Sequence, residues 1–148
     1  MDLLFYHLER SPLSRVLPDL LQKSMSRGWR AVVETQPFER VEALDQMLWT
    51  FEDDSFLPHG IAGQPDGDLQ PILLTDTSDN PNNADIRFFV DGGEVLKHKG
   101  YERLVYLFNG NDMEALTRAR REWKSAKDAG IDMTYWAETP DGGFEKKA

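Results

Sequence analysis

Residues 3–33, LLFYHLERSPLSRVLPDLLQKSMSRGWRAVV, contain a complete strand–helix–strand alternation, and their reading decides the fold class. Leu3 to Leu8 is a short apolar run containing Phe5 and Tyr6, which reads as a buried strand by its length and aromatic content. Ser11 and Pro12 then signal a helix start: a capping hydroxyl, followed by a proline whose missing N–H costs nothing in a first turn. Leu13, Val16, Leu17, Leu20, Leu21 and Ser24 recur at three- and four-residue steps, and Gly28 stops the helix. Pro18 falls inside that pattern and predicts a kink or a late start. Ala31-Val32-Val33 is the second strand.

The same alternation continues outward from this unit. A second helix is predicted from Pro37 to Trp49, with Val41, Leu44, Met47 and Leu48 turned inward. Leu73-Leu74 and Ile86 to Val90 read as two further strands. Tyr101 to Phe108, closed by Gly110, reads as a short helix. Asn111 and Glu114 have capping-box spacing and open a long helix that Gly130 ends. Met133 to Trp136 is the last strand. Glu52 to Leu69 and Asp76 to Asn83, rich in Asp, Asn, Gly and Pro, read as loops within one domain. The expected architecture is α/β: a single domain over residues 1–148, a three-layer α/β/α, Rossmann-like sandwich around a mostly parallel sheet.

Composition limits the function classes. The chain has 148 residues, 40% of them hydrophobic, enough for a sizeable core. Its 17 basic and 26 acidic residues give a net charge of −9, which argues against direct duplex DNA binding and against an anionic membrane as partner. Cysteine is absent, which removes disulfides, thiolate nucleophiles and cysteine-ligated metal sites. The apolar runs Leu3 to Tyr6 and Pro71 to Leu74 are far shorter than a membrane span, and Met1-Asp2-Leu3 lacks a basic leader. A soluble, cytoplasmic protein is expected.

The chemistry-bearing residues are sparse. The turn after the first strand, Glu9-Arg10-Ser11-Pro12, has no glycines to bring backbone amides onto a phosphate, and no Walker-type loop occurs. No cofactor is implied. His7, His59 and His98 share no metal-ligand spacing, and no metal site is expected. Asp53-Asp54 with His59 form either a carboxylate–imidazole pair or, more simply, a loop cap beside a histidine that holds its own turn. Ser55 near His59 lacks the setting of a nucleophile elbow. No catalytic residue is assigned.

The long helix carries more information. Leu116, Ala119, Trp123 and Ala126 form its buried stripe, with Arg120, Lys124 and Lys127 running alongside. Glu114–Arg118, Arg118–Glu122 and Lys124–Asp128 are four-residue pairs of opposite sign, whereas Arg120 has no acidic neighbour at three or four residues. A lone arginine beside a lysine and a tryptophan, on an acidic protein, suits an anion pocket; a solvated helix face is the alternative on pattern alone. Trp49 ends the second helix just before Ser55-Phe56-Leu57-Pro58-His59, as core or as a binding surface.

Taken together, several segments carry a resemblance: Phe5-Tyr6-His7-Leu8; Gly28 to Val33; Leu44-Asp45 through Leu48-Trp49; Ser55 to His59; Gln70-Pro71-Ile72; Ala119-Arg120 through Trp123-Lys124; and Thr134-Tyr135-Trp136. In this order they resemble the chi subunit family of bacterial DNA polymerase III holoenzyme. The resemblance implies a non-catalytic accessory subunit that tethers the clamp-loader assembly to the acidic C-terminal tail of single-stranded-DNA-binding protein during replication. Polymerase (nucleotidyltransferase) activity would belong to other subunits. The tail ends in acidic residues, then Pro-Phe with a free carboxylate. By the resemblance Trp49 and Phe56 wall the cleft, Arg120 and Lys124 meet the carboxylates, and Trp123 packs between them. A psi subunit is the second implied partner. The rival readings are a nucleotide-dependent or hydrolytic enzyme on the same sheet and direct single-strand binding through exposed aromatics. The missing phosphate loop and the charge of −9 weigh against them.

Overall fold

The computed structural model describes residues 1–50 and 57–148. Eight strands form one sheet: β1 (Asp2–Leu8), β2 (Ala31–Glu34), β3 (His59–Ile61), β4 (Ile72–Thr75), β5 (Ile86–Val90), β6 (Arg103–Asn109), β7 (Met133–Glu138) and β8 (Phe144–Lys146). Three α-helices connect them: α1 (Leu13–Ser26), α2 (Phe38–Thr50) and α3 (Met113–Asp128). The spatial order is β3-β4-β2-β5-β6-β1-β7-β8, and among the described residues only the β7–β8 pair is antiparallel. The fold is therefore α/β, as the opening unit predicts.

Two cores flank the sheet. On one face α1 and α2 pack Val16, Leu17, Leu21, Val41, Leu44 and Leu48 onto alternate strand residues such as Val33, Leu74 and Phe88. On the other, α3 sets Ala115, Ala119 and Ala126 on Phe5, Leu104 and Tyr106. Small alanines on the inner stripe of α3 let the helix approach closely and leave room for the large strand aromatics. Phe5 pairs in register with Tyr106 on β6 and Tyr135 on β7, giving a row of three rings under α3.

Several expectations are corrected. Residues 101–108 are not a helix; β6 occupies Arg103–Asn109 at the centre of the sheet. Leu104 to Phe108 are buried on both faces, so the run shows no period-two alternation, and its apolar spacing mimics a helix. The Glu52-to-Leu69 stretch contains β3 and a short 3-10 turn at Gly67–Leu69; its first residues, Glu52 to Phe56, lie outside the described residues. A further strand, β8, follows the one read as the last. Pro18 is buried inside α1, which already starts at Leu13. Pro12 takes the N-cap position of that helix, where no side chain caps, and the Ser11 hydroxyl turns instead to Glu138. The cap of α3 is Asp112 rather than Asn111: its Oδ1 accepts from the Glu114 and Ala115 amides.

Candidate functional site

Placement of four of the five residues singled out in the sequence follows from the layers. Arg120, Trp123 and Lys124 lie on α3, with Arg120 and Lys124 exposed. Trp123 is half-buried, edge-on to Phe5 at 5.3 Å and to Tyr135 at 5.4 Å between ring centres. The two cations therefore flank an aromatic wall built from three elements.

Of the anticipated ion pairs along α3, Arg118–Glu114 forms at 3.9 Å. Glu122 instead accepts the Val95 amide, and Arg118 donates to the Asp91 carbonyl. Among the described residues neither Arg120 nor Lys124 has a carboxylate partner within ion-pair distance. Both are left available to an external anion.

Tyr135 extends this surface, and the sequence reading assigned it no role. Its hydroxyl lies 2.7 Å from His7 Nδ1, and the Glu9 carboxylate stands 3.1 Å from His7 Nε2. Burial raises the Tyr135 pKa, against the opposing pull of the Arg120 charge. The ring of His7 fits only because residue 110 is glycine: a Cβ there would sit 1.8 Å from Nε2. The signal was Tyr135 and His7 two register positions apart on adjacent strands, legible only once β1 and β7 are known to be neighbours.

Trp49 is separate. It is 51% exposed, at the end of α2 in the opposite layer, with its ring 4.7 Å from that of His59 on edge strand β3. Five strand steps separate β3 from β1, about 24 Å across the sheet. Phe56 lies outside the described residues. The structure thus brings Arg120, Trp123 and Lys124 together and sets Trp49 apart from them.

His59 holds its own turn: Nδ1 donates to the Leu57 carbonyl at 2.6 Å, and Asp45 stands 3.2 Å from Nε2. Asp53, Asp54 and Ser55 lie outside the described residues. The turn after β1, where a phosphate would rest in a nucleotide-binding sheet, is filled from within. Glu138 accepts the Glu9, Arg10 and Ser11 amides at 2.8–3.0 Å, together with the Ser11 hydroxyl. Among the described residues no three His, Asp or Glu side chains gather as a metal site, and no helix is long and apolar enough to cross a membrane.

Residues 1–134 match the family model described as DNA polymerase III chi subunit, HolC. A curated relative, the "Probable DNA polymerase III subunit chi" of Rickettsia prowazekii (strain Madrid E), is 29% identical over 103 residues, 70% of this chain. The match spans 62% of that relative's length. With nine-tenths of its length inside the family model, on an α/β sheet of the expected class, the chain belongs to the DNA polymerase III chi subunit family.

Proposed function

We propose that the protein is a non-catalytic accessory subunit of the DNA polymerase III holoenzyme in DNA replication, binding the acidic C-terminal tail of single-stranded-DNA-binding protein and tethering the clamp-loader assembly to it. The observation that carries this reading is the exposed Arg120–Trp123–Lys124 surface of α3, whose cations lack internal carboxylate partners among the described residues on a chain of net charge −9. An acidic tail approaching such a chain meets general repulsion. Only a local cluster within a screening length of about 8 Å reverses it. Arg120 offers a planar guanidinium that takes a carboxylate through two parallel hydrogen bonds, and Lys124 adds a point charge. The edge-on Trp123 and Tyr135 rings supply the apolar wall against which a terminal phenylalanine packs.

Trp49 and Phe56 belong to this reading as a second, apolar contact. Five extended residues span at most about 17 Å, so a short peptide held on α3 does not reach Trp49, whereas a long tail does. A psi subunit is the proposed second partner.

Full-length single-stranded-DNA-binding protein and a form lacking its last residues separate the tail from the rest. Co-sedimentation with the first and none with the second is the expected result. Equal binding to both contradicts the tail as ligand.

A further inference from the structure

The crossovers leave part of the sheet uncovered. The α1 crossover leads from β1 back across β6 and β5 to β2, and α3 crosses on the opposite face. Among the described residues, the helices of the α1 face thus leave β7 and β8 at the margin of that layer. A groove of about 720 Å³ opens there, between the outer flank of α1 and the β7–β8 hairpin.

Its floor is aromatic. Tyr6 stacks on Trp136 at 6.4 Å, and Phe144 meets Tyr6 edge-on at 5.2 Å. All three rings are half-buried, so each keeps accessible face. A second hollow of about 220 Å³ adjoins it, sharing Tyr6, Leu20 and Lys23, with Trp29 as a further wall. Arg27 and Arg103 stand 5.0 and 5.5 Å from the Trp29 ring centre.

The charge around this floor runs against that of the whole chain. Arg15, Lys23, Arg27 and Arg103 line the two hollows, with Asp19 as the one carboxylate among the lining residues. Asp19 is spent on Lys23 at 3.1 Å, and Arg103 is paired with Asp2 at 3.1 Å. Arg15 and Arg27 are exposed and have no carboxylate partner among the described residues. An aromatic trough edged by guanidiniums without carboxylate partners, on a protein of charge −9, suits an occupant by charge as well as by shape.

We propose that this groove is a docking site for an acidic segment of another protein, one that carries bulky apolar side chains between its carboxylates. The apolar side chains fill the space over Tyr6, Trp136 and Phe144, while carboxylates meet Arg15 and Arg27. A second copy of this chain is a poorer occupant. A two-fold dimer through this face would set its arginines against their own copies. The groove lies on the opposite face of the sheet from Arg120, so it is a distinct site and stands independently of the tail-binding reading.

The probe is an 18-residue amphipathic peptide of Leu and Glu, with a Leu and Lys counterpart as control, titrated into the full-length ¹⁵N-labelled chain. Saturable binding of the acidic peptide is expected, with amide shifts at Tyr6, Arg15, Trp136 and Phe144. The double reversal Arg15→Glu, Arg27→Glu should weaken it by about tenfold or more. Both side chains are exposed, and an unchanged melting temperature shows that the variant is folded. The same peptide should bind the Arg120→Ala chain undiminished. Absence of saturable binding, equal binding of the lysine peptide, shifts confined to α3, or indifference to the double reversal each overturns the proposal. So does sedimentation showing a dimer of the free chain that the double reversal dissolves.

Discussion

Glu138 illustrates how much one side chain settles in this molecule. Burial works to raise its pKa, but the Ser11 hydroxyl and the Ser11, Arg10 and Glu9 amides outweigh burial and hold it at about 2. A depressed carboxyl contributes stability above its ordinary value of 4.5, and that contribution is lost as the pH falls from there toward 2. Glu138→Gln should therefore cost about 1.5–3 kcal/mol at neutral pH, the range for hydrogen bonds to a charged group. The gap between parent and variant should narrow in acid. Urea unfolding of both at pH 7 and pH 3 checks this, and equal stability at pH 7 contradicts it. On α3 the contrast is between neighbouring cations. Arg120→Ala should cost about 2 kcal/mol or more of tail affinity. Lys124→Ala should cost less and depend more steeply on salt, and Lys127→Ala should be almost silent. Calorimetric titration of the three variants orders them, and a larger loss at Lys127 than at Arg120 would move the site along the helix.

At the level of elements, sequence patterns identified those with one solvated face. The helices α1, α2 and α3 carry an apolar stripe and a polar back, and their reading needed corrections only at the caps and at Pro18. β6 escapes such patterns for the opposite reason: a central strand buried on both sides carries no alternation to distinguish it from a short helix. β3 and β8 are three-residue edge strands, too short for any period to register. The basic edge of α3 was visible because neighbours on one helix are fixed by spacing. The contribution of Tyr135, and the separation of Trp49 from α3, depend on strand order, which no local pattern encodes. The turn after β3 offers a test at this scale. A Cβ on Gly67 would lie 2.3 Å from the Ile61 carbonyl oxygen, a backbone atom that cannot swing away. Gly67→Ala should destabilise the fold by about 1–3 kcal/mol, the usual cost of overpacking. Denaturant midpoints measure it, and an unchanged midpoint would mean that the β3 edge yields freely.

For the whole molecule, the balance of 17 basic against 26 acidic residues makes the location of positive charge the decisive property. Among the described residues, cations without carboxylate partners include Arg120 and Lys124 on α3 and Arg15 and Arg27 along the groove beside α1, on opposite faces of one sheet. The proposed contacts with two partners would use two such faces, which the sheet sets on its opposite sides. The separation also sets a length rule. A short acidic peptide seated on α3 should be indifferent to Trp49→Ala, because that residue is some five strands away in the other layer. A longer tail should register the loss. The most direct measurement is a calorimetric titration of a short acidic peptide ending in Pro-Phe into the parent chain and the Arg120→Ala variant, at low and high salt. The account predicts saturable one-to-one binding to the parent that weakens with salt, and a loss of about thirtyfold or more in the variant, equivalent to about 2 kcal/mol. Equal affinity of parent and variant would contradict it.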